Sequence, residues 1–374
     1  MPETEARGEV ETRGRWDGAS GVKPDHKNPD HKNLDHKNLD RKYMTEGLPE
    51  RSTGDKSDGT AAYYDISLLK APVWTPEVGV YFFLGGLSSS AFSLARMADR
   101  FGRGRYRNVA KAGTLIAALA ALPCAPLLIK DLGDPKRFHH MLRVWKPSSP
   151  MNLGSWTLTA YTGMGAIAAL RELLRVLRHD APLTGAARAV DETAGVVADA
   201  AGIPLGLLLA GYTGILLSTT ATPIWSRNSW IGALFSASAV SAGTGAVRLV
   251  LEVTGQEGPG TEALAKVETA ARAAEVVCHA GFLSAAGPLA KPLTEGKEKT
   301  AYLAGAIGAG IVLPELLNRL PVPTPYRHGL KIAAGVLGLI GGYALRAAFV
   351  AAGKPSALDP DAARLATGEK GGTA

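Results

Sequence analysis

Long apolar runs separated by polar breaks dominate the chain from residue 73 onward. Eight of these runs are about 20 residues long, the length that an α-helix needs to cross the hydrocarbon core of a bilayer. The breaks carry Pro, Gly or clustered charge, as helix ends do. The pattern predicts an all-α polytopic membrane protein with about eight transmembrane helices, at residues 76–98, 109–129, 154–174, 197–218, 230–251, 267–289, 300–320 and 330–350.

The two ends of the chain have a different composition. Residues 1–72 are rich in Gly and charged residues and poor in aliphatic side chains, so they have little apolar surface to offset the entropy of ordering. They contain a pentapeptide repeat, DHKNP-DHKNL-DHKNL-DRKYM, which favours a low-complexity tail over a weak metal site. No cleavable signal pattern precedes the first span, so we expect that span to act as its own signal. The sequence predicts a disordered polar tail at 1–72, a transmembrane domain at 73–352 and a disordered tail at 353–374.

Lys and Arg are concentrated in the links after the first and third spans, which favours the cytoplasmic side for both links. The residues concerned are Arg96, Arg100, Arg103, Arg105, Arg107 and Lys111 in the first link, and Arg171, Arg175, Arg178 and Arg188 in the other. By alternation, both termini and the connection after the second span are expected to be extracytoplasmic, in a multi-pass protein of the cell membrane.

The connection after the second span contains more turn-forming and charged residues than a simple link needs. From residue 129 to 156 it reads IKDLGDPKRFHHMLRVWKPSSPMNLGSW. Aspartates and prolines specify turns, and the cations make the loop basic although it lies on the outer side. We interpret it as a structured loop that docks a partner with acidic rim residues; the alternative is an interfacial loop held by phospholipid. The docking candidates are Asp131, Gly133, Pro135, Arg137, Lys146, Pro147 and Pro150.

This loop, as DLGDPKRF followed by VWKPSSPMNLGSW, resembles the connection between the second and third membrane helices of the NrfD/PsrC family, the polysulfide reductase-type integral membrane subunits. YFFLGG from Tyr81 and GYTG from Gly211 agree with it, and the resemblance extends over residues 74–350. It implies two four-helix bundles side by side. It also implies a ferredoxin-like iron-sulfur subunit as partner, with a molybdopterin catalytic subunit beyond it, and exchange of electrons with menaquinone or another quinone.

Quinone contacts are expected where polar or aromatic groups interrupt the apolar helices. Tyr212 resembles a tyrosine with which the family contacts quinone, and Gly211 and Gly214 would leave room for the head group. Tyr81 stands near the place where some relatives have a histidine, and Glu77 lies one turn earlier on the same helix face. A phenol can donate a hydrogen bond to a quinone carbonyl and stack on its ring. The alternative for each tyrosine is an interfacial anchor or a bond between helices.

The sixth span carries a polar stripe of Glu268, Arg272, Glu275 and His279, spaced by four, three and four residues. Ionisable groups in lipid persist where they pair, face a cavity or carry protons. The stripe therefore predicts either intramembrane pairing, through i,i+4 contacts, or a proton path.

The inventory of metal ligands argues against a metal cofactor in this chain. Cys124 and Cys278 are too few for an iron-sulfur cluster, which takes about four thiolates, and His279 alone lies deep in a span. We therefore expect no haem and no cluster here, and electrons that come from a partner. The lipid bilayer is the other expected partner, and no nucleic acid is expected. Two alternatives stay open: a secondary transporter with a polar path along the sixth span, and a pure anchor without a quinone site.

Overall fold

The structure is a computed structural model that describes residues 69–132, 134–226, 228–321 and 323–367. Every regular element in these ranges is a helix. The elements are α1 (Pro76–Phe101), α2 (Arg107–Ala121), α3 (Cys124–Asp131), α4 (His140–Arg143), α5 (Pro150–Leu177), α6 (Gly185–Ser218), α7 (Trp230–Val253), α8 (Pro259–Ala286), α9 (Lys291–Thr294), a π-helix (Thr300–Val312), α10 (Leu313–Arg319), α11 (Thr324–Leu358) and α12 (Pro360–Thr367). Most of the N-terminal tail and all of its repeat lie outside the described residues, as does Gly133.

Seven segments of the described chain are long and apolar enough to cross a membrane: α1, α2 with α3, α6, α7, Pro259–Thr294, Thr300–Arg319 and most of α11. Helix α5 is not among these seven, but with 28 residues it is long enough to be the eighth crossing that the sequence predicts. It lies antiparallel to α6 over its whole length, because Arg171 pairs with Asp191 at one end and Tyr212 contacts Pro150 at the other. The chain is therefore a multi-pass membrane protein, as its hydrophobic pattern predicts.

Prolines mark where several of these helices begin or break. Pro76, Pro150 and Pro259 stand in the first turn of α1, α5 and α8, where the missing N–H has no partner to lose. The second span is broken at Leu122 and Pro123, so its last eight residues form the separate helix α3. This break is a departure from the single helix that the sequence predicts.

The eight spans pack as two groups of four. α1, α2 with α3, α5 and α6 pack together, and so do α7, α8, the π-helix with α10, and α11. The groups meet where α1 and α6 pack against α7 and where α1 packs against α11, and Arg346 of α11 joins them. Its fully buried guanidinium donates to the carbonyl oxygens of Phe82 in α1 and Phe235 in α7, each at 3.2 Å. The core is thus continuous across both groups.

The end of the chain differs from the disordered tail that composition favours from residue 353 onward. Helix α11 continues to Leu358, and α12 follows it to Thr367. A contact distant in sequence explains the order, because the backbone N–H of Ile224 donates to Ser356 Oγ at 3.0 Å and the Trp225 indole donates to the Phe349 carbonyl at 3.0 Å. Residues 368–374 lie outside the described part.

Candidate functional site

The first turns of α1 are covered by α3, on the side of the membrane where the 132–149 connection lies, here called the loop side. Lys130 Nζ lies 2.6 Å from Glu77 Oε1. Asp131 Oδ1 accepts two hydrogen bonds from Thr75, from its hydroxyl at 2.7 Å and its backbone N–H at 3.2 Å. We call these contacts the latch. Glu77, predicted as a quinone contact, and Asp131, predicted as a docking residue, therefore belong to one cluster.

Tyr81 lies one turn deeper than this latch and is almost completely buried, with 3% of its surface exposed. Tyr81, Cys124 and Tyr212 belong to the same buried hydrophobic cluster, to which α1, α3 and α6 all contribute. Within the described residues the Tyr81 hydroxyl makes no hydrogen bond, and it is not one of the completely enclosed atoms that lack a partner, so a small part of it stays accessible. A donor that is free and accessible beside apolar surface is one that a ligand oxygen could satisfy.

Tyr212 is also buried, but its hydroxyl is already used. It donates to the carbonyl oxygen of Pro150 in the first turn of α5. Its ring occupies the space over Gly154, where any Cβ would collide with it. Tyr212 therefore fixes the start of α5, in agreement with the alternative of a bond between helices.

The two glycines that flank Tyr212 do not open space beside its ring. A Cβ at Gly211 would meet Ser236 Oγ, and one at Gly214 would lie 2.9 Å from Cα of Gly232. Both glycines therefore face α7 and allow α6 and α7 to approach closely. The room for a head group that the sequence suggested is not formed at these positions.

The 132–149 connection is a structured loop, as expected. Pro135 and Arg137 are in a short 3-10 turn, α4 follows, and Pro135, Arg137, Lys146 and Pro147 are exposed. Pro150 is half-buried in the first turn of α5. Exposed apolar side chains, Phe138 and Trp145 among them, stand between the cations. A surface that mixes cations with exposed aromatic groups is typical of a protein interface.

Asn152 holds this loop in shape, and the sequence analysis did not single it out. Its Oδ1 accepts from the backbone N–H of Lys146 at 2.8 Å, and its Nδ2 donates to the carbonyls of Met141 and Val144 at 2.8 and 2.9 Å. Lys130 was not singled out either, because in the sequence it is only one of several cations in this connection. An amide side chain two residues after a helix-starting proline is the signal that could have identified Asn152.

The stripe on α8 is buried, and its outer half forms one ion-pair network. Glu268 accepts from Arg248 at 2.5 Å and from Arg272. Arg248 also pairs with Glu252 at 3.1 Å, and Arg272 lies 3.9 Å from Glu315. The i,i+4 pair of Glu268 with Arg272 is as predicted, while the contact with α7 was not foreseen.

The inner half of the stripe has other partners. Glu275 interacts with Ser238, whose hydroxyl accepts from Arg346 at 3.0 Å. His279 does not pair with Glu275, because its Nδ1 lies 2.9 Å from the Tyr302 hydroxyl at the start of the π-helix. The other ring nitrogen of His279 is buried without a partner among the described residues. The predicted pairing thus holds for only half of the stripe.

A crevice on the side opposite the loop reaches the network and is lined by Arg248, Glu252, Glu268 and Lys331, among others. Beside it, outside the spans, a hydrogen bond from Lys331 at 3.2 Å and the nearby His328 hold the pKa of Glu257 below its usual range. Charged side chains therefore continue from this surface into the α8 network.

Comparison with known proteins identifies the family. Residues 67–355 match a family model described as "Polysulphide reductase, NrfD". The protein is 29% identical over 288 residues to a relative from Wolinella succinogenes that is named as one of the chains of polysulfide reductase; the match covers 71% of this chain and 88% of that protein. It is 24% identical over 308 residues to "Protein NrfD homolog" of Haemophilus influenzae, covering 75% and 94%.

Proposed function

Because the chain belongs to the polysulphide reductase NrfD family, we propose that it is the integral membrane subunit of a multi-subunit molybdopterin and iron-sulfur oxidoreductase. In this role it anchors the complex in the cell membrane and exchanges electrons with the quinone pool. The relative from Wolinella succinogenes bears the name of one chain of a multi-chain enzyme, which supports a subunit role here.

The observation that carries the quinone part of the proposal is the unpartnered hydroxyl of the buried Tyr81. A quinone carbonyl accepts hydrogen bonds, and a phenol that lacks an acceptor among the described residues fits that oxygen. Cys124 and Phe82 supply apolar and aromatic surface beside it. A bound quinone would supply two-electron, two-proton redox chemistry at this place. Tyr81 would orient its head group, with Glu77 one turn nearer the loop side.

In this proposal Tyr212 does not contact the quinone with its hydroxyl, although its motif suggests that it would. Its hydroxyl is bonded to Pro150, so it contributes to the quinone site by fixing α5 beside α6 and by closing the wall next to Tyr81. Gly211 and Gly214 serve the same packing. A switch of the Tyr212 hydroxyl from Pro150 to a ligand is not required.

The exposed loop is the surface for the partner, which we propose to be a ferredoxin-like iron-sulfur protein with an acidic rim. Arg137 and Lys146 would steer it, and the aromatic residues between them would be buried on docking. Since the loop continues from the end of α3, it brings that partner close to Tyr81. We propose that this side, and with it both termini, is extracytoplasmic.

Proton exchange is the function that fits the α8 network best. Ionisable groups lead from the crevice through Glu268 and Arg272 to Glu275, and Ser238 connects Glu275 with Arg346. Arg346 in turn bonds the carbonyl of Phe82, the residue next to Tyr81, and so fixes this end of the line. Guanidinium groups stay protonated and a backbone carbonyl only accepts hydrogen bonds, so the arginines would hold the carboxylates in place. Glu268 and Glu275 would be the groups that take up and release protons between the side opposite the loop and the quinone site.

Purification of the chain from its native membrane tests the proposal. We expect iron, molybdenum and quinol-linked turnover to accompany the wild-type chain. Tyr81→Phe should keep both metals and lose most of the turnover, because only the hydroxyl is removed. A metal-free chain without a partner would contradict the redox role and favour transport.

A further inference from the structure

The helix α3 faces outward on most of its surface. Among its eight residues, all of which the structure describes, Cys124 is fully buried, and Leu127 and Leu128 are partly buried against the core. Leu122 and Pro123 join α3 to α2 with helical backbone angles, but Pro123 has no N–H to donate, so the span bends here at a lower cost than elsewhere.

The far end of α3 is held by contacts that open at low cost. The Lys130–Glu77 ion pair is open to solvent, with 69% and 28% of the two side chains exposed. Such pairs contribute little to stability. The remaining contacts of the latch are the two hydrogen bonds from Thr75 to one oxygen of Asp131.

What α3 covers is the Tyr81 side chain. Cys124 lies at the level of Tyr81, and Lys130 lies at the level of Glu77, so α3 runs antiparallel along the first two turns of α1. Only 3% of Tyr81 is exposed while α3 is in place, so a head group can stack on its ring only after this cover moves.

We infer that α3 is a strap that controls access to Tyr81, hinged at Leu122 and Pro123 and closed by the latch. This inference rests on the proposed function for the identity of the ligand, whereas the movement of the strap can be measured without it. Because the docking loop continues from Asp131, a partner bound there would shift the strap equilibrium, and a ligand under the strap would alter partner affinity by the same factor.

Cys124 is a built-in reporter of strap opening. It is buried and its thiol donates to the Ala120 carbonyl at 3.3 Å. The chain has two cysteines, so Cys278→Ala leaves Cys124 as the single thiol. The test measures the rate at which N-ethylmaleimide alkylates Cys124 in the full chain, reconstituted in lipid bilayers.

Glu77→Gln and Lys130→Gln each remove one charge of the latch. We expect each to raise the alkylation rate by up to about fivefold, the range that an exposed ion pair gives. Thr75→Val, which keeps the side-chain shape, should act in the same direction. The charge-swapped double variant Glu77→Lys with Lys130→Glu should return towards the parent rate. Arg143→Gln, which removes an exposed loop cation outside the latch, is the matched control and should leave the rate unchanged.

The ligand is tested separately with a tail-less naphthoquinone. We expect it to slow alkylation of Cys124 in the Glu77→Gln variant, because it would occupy the space beside Tyr81. Alkylation at the parent rate in all three single latch variants would overturn the strap. Faster alkylation without protection by the naphthoquinone would support the strap and contradict the quinone site.

Discussion

Replacing Glu268 with Gln tests whether the α8 network stabilises the membrane domain. Glu268 is buried, and both Arg248 and Arg272 donate to its carboxylate. Gln keeps the volume and removes the charge, so two arginines lose their shared counter-ion. Each retains one other carboxylate, Glu252 at 3.1 Å for Arg248 and Glu315 at 3.9 Å for Arg272.

Breaking a buried ion pair by removing one partner costs about 3–5 kcal/mol. Because each arginine keeps a second carboxylate, we expect the lower end, about 3 kcal/mol for Glu268→Gln. At about 2–4 °C for each kcal/mol in a domain of comparable size, this lowers the melting temperature in detergent by about 6–12 °C.

Glu315→Gln is the comparison variant, since it removes the same group from the more exposed end of the network, where Glu315 pairs with Arg319 and lies 3.9 Å from Arg272. Glu315 and Arg319 have 27% and 74% of their side chains exposed, so the loss should stay below about 1 kcal/mol. The double variant Glu268→Gln with Arg272→Met should be more stable than Glu268→Gln alone, because it removes an uncompensated charge. A melting temperature for Glu268→Gln equal to that of Glu315→Gln would refute the reasoning.

Three further predictions concern the loop and the opposite surface. Asn152→Ala removes three hydrogen bonds that shape the loop, which together contribute about 2–4 kcal/mol. The variant should bind the partner at least about tenfold more weakly and bind quinone as wild type does. Co-purification of as much partner as with wild type would contradict this. Arg137→Glu with Lys146→Glu should release the partner from purified membranes while the chain stays folded, as circular dichroism and gel filtration can check; retention of the partner would exclude the docking role. Glu257 has a lowered pKa in the folded chain, so it contributes stability above its unfolded pKa, about 4.3, and this stability is lost as the pH falls through the folded pKa. The melting temperature of Glu257→Gln should therefore be slightly below that of wild type at about pH 7 and equal to it at about pH 3. An equal difference in melting temperature at both pH values would argue against the pairing with Lys331.

The spans and the local pairs of this protein could be predicted from its sequence because both depend on residues close together in the chain. Hydropathy confirms seven of the eight predicted crossings, and a spacing of four residues identified Glu268 with Arg272. The bond from Tyr212 to Pro150 crosses 62 residues and that from Arg346 to Phe82 crosses 264. Periodicity within one helix carries no information about such contacts.

The same limit explains why the sequence did not predict the contacts of several site residues. GYTG predicts small residues beside an aromatic ring, but only the position of α7 shows that Gly211 and Gly214 serve helix packing. Asp131 lies in a loop motif that suggests a partner, yet Thr75 binds it within the chain. The sequence singles out these polar residues, whereas their neighbours depend on how the spans are arranged.

The measurement that tests the central claim most directly is photoaffinity labelling of the reconstituted protein with an azido-naphthoquinone, followed by peptide mapping. We expect label on the α1 peptide that contains Tyr81 and on the α3 peptide that contains Cys124, with competition by unmodified quinone and much less label in Tyr81→Phe. Competed label confined to α8, or no competed label on any peptide, would contradict a quinone site at Tyr81.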